Sequence, residues 1–166
     1  MDKTTKIIKA SVDALMTAIL IFGITFIIFF AIGIKPYVVI SGSMEPAVHK
    51  GSLSFINTHS RFEDVKKDDI IAYKTVTGDR VTHRVREVTE QGLVTRGDAN
   101  EVDDVALTTE KNFLGINIFS IPLLGYIIGT LQTKKGKIIL GTIIVLILVA
   151  SFLLDDKSVG KRDKNK

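Results

Sequence analysis

The stretch Arg80-Val81-Thr82-His83-Arg84-Val85-Arg86-Glu87-Val88 decides the fold class. Extended as a strand, it sets Val81, His83 and Val85 on one face and Thr82, Arg84 and Arg86 on the other. A histidine that shares a face with valines is more often a hydrogen-bonded core residue than a catalyst, so its role depends on what the rest of the chain brings to it. Outward from this strand, Tyr37–Ile40, Leu53–Asn57, Asp69–Lys74 and Leu93–Arg96 are short segments rich in Val, Ile, Thr and Tyr. Polar or glycine-bearing turns separate them, among them Thr77-Gly78-Asp79 and Glu90-Gln91-Gly92. The expectation is an antiparallel, mostly β domain with no helix of useful length inside it.

Upstream of these strands stands Ile40-Ser41-Gly42-Ser43-Met44-Glu45-Pro46. Gly42 lets the backbone bend sharply before Ser43, and Pro46 stops a helix or central strand from running on. That is how a reactive hydroxyl would be presented, although Ser, Gly and Pro also make ordinary surface turns. Downstream comes an acidic loop, Thr95-Arg96-Gly97-Asp98-Ala99-Asn100-Glu101-Val102-Asp103-Asp104. As a calcium loop it fits poorly, because Val102 and Asp103 stand where an EF-hand needs an oxygen ligand and a glycine. As a source of one carboxylate it fits a different chemistry. A hydroxyl nucleophile needs a base, and an imidazole base needs a carboxylate to hold its tautomer. Ser43, His83 and an aspartate of the loop supply those three parts, with the choice of aspartate left open by the sequence. His49 and His59 sit in loop-like sequence and read as solvated, and Lys74 is a rival base that reads better as a solvated strand lysine.

The outer parts of the chain are different. In 166 residues there is room for one modest domain with attachments, and the 46% hydrophobic share is concentrated in two blocks near the ends. Ala14–Ile34 carries no charge and, at about 1.5 Å of helical rise per residue, is long enough to cross a bilayer. Lys3, Lys6 and Lys9 precede it, and Ala31-Ile32-Gly33 offers a small-x-small triplet, but the apolar run is longer than a cleavable signal's core of about 7–15 residues. An uncleaved anchor with the lysines in the cytoplasm is the expectation. Ile138–Leu154 reads as a second span, with lysines on both sides; a buried core helix is the competing reading. The expected organisation is a cytoplasmic N-terminus (1–13), a span (14–34), an extracytoplasmic domain (35–137), a second span (138–154) and a polar, disordered cytoplasmic tail (155–166). Phe113–Leu131, interrupted by Pro122 and three glycines, reads as part core hairpin and part surface dipping into lipid. The pI of about 9.3 points to the membrane surface rather than to nucleic acid. The chain has no cysteine, which excludes disulfides, thiol catalysis and cysteine-ligated zinc.

Three motifs together, Ser41-Gly42-Ser43-Met44-Glu45-Pro46, Val81-Thr82-His83-Arg84-Val85 and Arg96–Asp104, resemble the three boxes of type I signal peptidases, in the same order. Ile121-Pro122-Leu123-Leu124-Gly125-Tyr126 is similar to the segment that closes that family's domain. The histidine at position 83 aligns the chain with the ER-type (Ser/His) branch, found also in archaea and some Gram-positive bacteria, where the common bacterial branch has lysine. The resemblance implies a membrane-bound serine endopeptidase that cuts signal peptides from secretory precursors after small residues, at A-x-A-like sites. It implies Ser43 as nucleophile, His83 as general base, Asp104 as the partner of the imidazole, Asp98 as a second required position and Asp103 as the alternative partner. Ser41 matches a position whose hydroxyl, with the Ser43 N–H, faces the developing oxyanion. No metal or organic cofactor is implied, and the implied setting is a multi-pass protein of the cell membrane, its domain extracytoplasmic, associated with the secretion machinery. The competing class is a non-catalytic, membrane-tethered β domain that binds or scaffolds other proteins.

Overall fold

The structure, a computed structural model, describes residues 3–159. Residues 29–130 form one compact unit, and the helical segments on either side of it form a second. The order is α1 (Lys3–Ala31), β1 (Ile34–Val38), β2 (Leu53–Asn57), β3 (Ile70–Lys74), β4 (Arg80–Thr89), β5 (Gly92–Arg96), β6 (Phe113–Ile121), α2 (Leu124–Gln132) and α3 (Lys134–Val159). The six strands form one sheet in the order β1-β2-β6-β3-β4-β5, with every neighbouring pair antiparallel.

Strands β2 to β5 lie where the alternation placed them, to within a residue at either end. The first strand does not: it is Ile34–Val38 rather than Tyr37–Ile40. Pro36 is tolerated there because β1 is an edge strand, paired with β2 alone, and an edge does not need every N–H. The helix before it stops at Ala31, short of Ile34, because Gly33 turns the chain at φ +83° and packs under His59. A Cβ at Gly33 would stand 2.5 Å from that imidazole, so the helix end needs glycine for space as well as for conformation.

The strip 113–131 is neither a hairpin nor a uniform surface. Its first part is β6, an inner strand between β2 and β3, and its second part, after Pro122, is α2. The expectation of a domain without a useful helix is corrected by α2. The local sequence hides β6 because its partners come from far earlier in the chain: Asn117 faces Ile56 and Gly115 faces Ala72. Counting the helices, the described residues hold more helix than strand, so "mostly β" applies to the sheet-bearing unit and not to the chain.

The core that supports the site lies under one face of the sheet. Val65, Ile71, Tyr73, Val85 and Leu93 are buried there, with Phe62, Val81, Phe113 and Ile116 packed against them. Strand β2 is buried on both faces, and its one buried hydroxyl in register with β6 is satisfied across the strands, Ser54 Oγ to Ser120 Oγ at 2.8 Å.

Lys6–Ala31 within α1 reaches a mean hydropathy of 2.6 over an 18-residue window and is the one helix among the described residues long and apolar enough to cross a membrane. Ile138–Leu154 is helical and lies inside α3. That helix continues through Asp155–Val159, which the sequence placed in a disordered tail; residues 160–166 of that tail lie outside the described residues.

Candidate active site

Three neighbouring strands bring the polar side chains of one sheet face together. Tyr73 of β3 faces Val81, and Thr95 of β5 faces Val85, so both are diagonal neighbours of His83 between those valines on β4. This is the buried face: His83, Tyr73 and Thr95 are each less than a tenth exposed. On the opposite face, Arg84 and Arg86 point away together, as the alternation required.

The loop after β5 delivers Asp104 to that cluster. Its N–H donates to the Thr95 carbonyl at 2.8 Å, and its Oδ2 takes three hydrogen bonds: from Thr95 Oγ1 at 2.5 Å, from Tyr73 Oη at 2.7 Å and from His83 Nδ1 at 2.8 Å. Burial pushes the carboxyl up, but the hydrogen bonds from His83, Thr95 and Tyr73 overcome it and hold Asp104 below the usual carboxylate range. With Asp104 ionised, Nδ1 of the imidazole carries the proton. The other nitrogen, Nε2, is then an acceptor, and it lies 3.2 Å from Ser43 Oγ.

Ser43 is held from three sides. Met44, the next residue, is 1% exposed and plugs the turn into the interior. The Ser43 carbonyl accepts the Ala99 N–H at 2.9 Å, which ties the serine turn to the acidic loop, and Glu45 N–H donates to the Gly42 carbonyl at 3.0 Å within the turn. Gly97 makes the approach possible: a Cβ there would stand 2.5 Å from the Ser43 carbonyl oxygen. The Glu45–Pro46 peptide is cis. Ser41 Oγ lies 3.2 Å from Ser43 Oγ and is exposed.

The three aspartates left open by the sequence are now distinct. Asp104 meets the imidazole. Asp98 instead receives Arg84 through Nε (2.8 Å) and Nη2 (2.6 Å) and Arg86 through Nη2 (2.9 Å), and Arg84 Nη1 also donates to the Asp68 carbonyl at 2.8 Å. Hydrogen bonding from Arg84 holds the Asp98 carboxyl below its ordinary range against the opposing effect of burial. Asp103 faces Arg96 at 3.6 Å with half of its side chain exposed. His49, His59 and Lys74 are exposed.

Because the Asp98 pKa is depressed in the folded chain, the unfolded chain binds the extra proton first as pH falls, and the Arg84–Asp98–Arg86 clamp contributes stability above the unfolded value of about 4 that is lost below it. Thermal unfolding followed from pH 7 to pH 2.5 is expected to show a steeper acid loss in the wild type than in Asp98→Asn, which starts less stable and has no such proton to take up. Equal slopes would show that the clamp does not couple to folding.

Sequence reasoning missed Tyr73, Thr95, Arg84 and Arg86 as contributors to this region. Only the strand register, which puts Tyr73 and Thr95 diagonal to His83, could have found the first two. Among the described residues no group of three or more His, Cys, Asp or Glu is arranged to hold a metal ion.

Residues 8–108 match the family described as signal peptidase, peptidase S26. The human signal peptidase complex catalytic subunit SEC11C is 42% identical over an alignment of 84 residues that covers 46% of this chain and 43% of that protein. Signal peptidase I W of Bacillus subtilis is 35% identical over 78 residues, 45% of this chain and 41% of that protein. Signal peptidase complex catalytic subunit SEC11 of Ogataea parapolymorpha is 34% identical over an alignment of 113 residues that covers 54% of this chain and 63% of that protein. The aligned part thus spans less than two thirds of each of these relatives.

Proposed function

This chain belongs to the signal peptidase family, peptidase S26, and from that membership we propose that it is a membrane-bound serine endopeptidase that removes signal peptides from secretory precursors. The observation that carries the reading is the continuous line of hydrogen bonds from Ser43 Oγ through both nitrogens of His83 to Asp104. In the proposed reaction His83 Nε2 takes the Ser43 proton as Oγ attacks the scissile carbonyl carbon. The negative charge that develops on the carbonyl oxygen faces the Ser41 hydroxyl and the Ser43 N–H. Collapse of the tetrahedral species breaks the C–N bond, with the His83 proton going to the leaving amine. Water, losing a proton to His83, then attacks the acyl carbon on Ser43; the acyl–Oγ bond breaks, the His83 proton returns to Ser43 Oγ, and the signal peptide leaves with its new carboxylate. Asp104 stays ionised throughout and steadies the imidazolium; Asp98 acts on the loop rather than on the imidazole, and Asp103 stays at the surface.

The same proposal assigns 1–13 and 155–166 to the cytoplasm, 14–31 and 138–154 to two membrane spans, and 34–137 to the extracytoplasmic side of the cell membrane. What supports it is the apolar helix Lys6–Ala31 and the helical, charge-free Ile138–Leu154. A precursor's cut site lies just beyond its own apolar segment, so a site tethered near the outer leaflet meets it without a long search. Two of the relatives are catalytic subunits of a complex, and association of this chain with other secretion components belongs to the same reading.

The test is cleavage. Detergent-solubilised full chain, incubated with a panel of secretory precursors, is expected to give product N-termini that begin after small residues in A-x-A-like contexts, read by mass spectrometry. Cuts scattered without regard to those sites would contradict the substrate assignment.

A further inference from the structure

We propose that Tyr73 is a positioning residue for the Ser43–His83 pair and acts through Asp104; the inference rests on the reading of these residues as a hydrolytic group. Tyr73 is 5% exposed, and its ring meets the His83 ring edge to face at a centroid distance of 6.2 Å. Its hydroxyl has one hydrogen to give and two candidate acceptors, Asp104 Oδ2 at 2.7 Å and His83 Nδ1 at 3.4 Å. The shorter contact takes the proton, which leaves Nδ1 free to keep its own hydrogen and donate it to the same carboxylate oxygen.

The consequence is a choice of tautomer. Tyr73 and Thr95 approach Oδ2 from the strands on either side of β4, and the histidine approaches it from β4 itself. An oxygen that already takes two hydroxyl protons is held as an anion and cannot rotate away, so it presents the imidazole with an acceptor only. Nδ1 then carries the hydrogen and Nε2 the lone pair aimed at Ser43 Oγ. Burial pushes the Tyr73 hydroxyl above the usual tyrosine range, so it stays a donor at neutral pH. The contacts of the Tyr73 hydroxyl are with Asp104 and His83, so its effect on Ser43 passes through them.

Tyr73→Phe keeps the ring, and with it the edge contact, and removes only the donor. In the solubilised full chain acting on a precursor, it is expected to lower kcat about 10- to 100-fold, the range for one lost hydrogen bond to a charged group, with KM within about twofold. In an Asp104→Ala background, the same change is expected to alter kcat by less than about twofold, because the group it acts on is gone. The low-field proton resonance of His83 Nδ1 is expected to shift in Tyr73→Phe. A purely structural tyrosine would instead lower the melting temperature and cost the same factor in both backgrounds, and either that pattern or unchanged kcat in the single variant overturns the inference. If Tyr73→Phe does not fold, 3-fluorotyrosine at position 73 retains both ring and hydroxyl while making the hydroxyl a stronger acid; kcat should then change, and an unchanged kcat overturns the inference as well. Ser43→Ala, run alongside, separates the two levels. If it keeps wild-type turnover, the hydrolytic reading falls; if it is inactive while Tyr73→Phe turns over normally, only the role of Tyr73 falls.

Discussion

Asp104→Asn is expected to lower kcat by about 10⁴-fold while the chain still folds, the size of effect that follows when a serine hydrolase loses the carboxylate behind its histidine. The amide is nearly isosteric with the carboxylate, but the three hydrogen bonds meet at one oxygen, so with its NH₂ in that place the Tyr73 and Thr95 hydroxyls lose their acceptor as well. What it adds is a donor. An NH₂ group turned toward Nδ1 demands a lone pair there and moves the imidazole proton to Nε2, where it points at Ser43 Oγ and can no longer accept from it. The nucleophile then has no base. The other two aspartates serve as internal comparisons. Asp103→Asn, at a half-exposed position 3.6 Å from Arg96, is expected to change kcat by less than about twofold, as surface ion pairs contribute little. Asp98→Asn leaves the imidazole untouched and acts through the stability of the loop. Rates on one precursor, with melting temperatures for each variant, check the ordering; a loss for Asp103→Asn equal to that for Asp104→Asn would contradict it.

Gly97→Ala is the second large effect, and its cause is distance. The added methyl would stand 2.5 Å from the Ser43 carbonyl oxygen and 2.9 Å from Asn100 Nδ2. The amide can rotate away, but the carbonyl belongs to the backbone of the nucleophile and already accepts the Ala99 N–H. Relief therefore moves Ser43. A displacement of about 1 Å at a nucleophile costs on the order of 100-fold in rate, and overpacking at such a contact costs about 1–3 kcal/mol of stability. The expected result is a fall in kcat of that size together with a lowered melting temperature. Wild-type kcat in Gly97→Ala would mean that the serine turn and the acidic loop are not locked as the structure has them.

The sequence exposed the sheet where side chains alternate locally and hid it where pairing is remote. Arg80–Thr89 could be read as a strand from its own residues, because a period of two is visible without a partner. Phe113–Ile121 could not: its nine residues mix apolar, small and polar types, and their reason for being extended is two strands recruited from residues 53–57 and 70–74. Ser43 and His83 were legible for a different reason. A serine between turn formers and a histidine among valines are local anomalies that demand an account. Asp104 was legible only as one of three, since which carboxylate reaches the imidazole depends on the loop path that the Asp104 N–H to Thr95 carbonyl bond sets. Tyr73 carried no local signal at all. A tyrosine in a strand is ordinary, and only the register of β3 against β4 makes it a neighbour of the histidine.

The central claim is that Ser43, activated by His83, cuts secretory precursors. Its most direct test compares the wild-type chain with Ser43→Ala on one precursor under identical conditions, both proteins shown to be folded by their melting curves. The expected result is wild-type cleavage after an A-x-A-like site and a loss of at least about 10³-fold in the variant, since removal of the nucleophile leaves only binding and the oxyanion contacts. Cleavage by Ser43→Ala at the wild-type rate would contradict it.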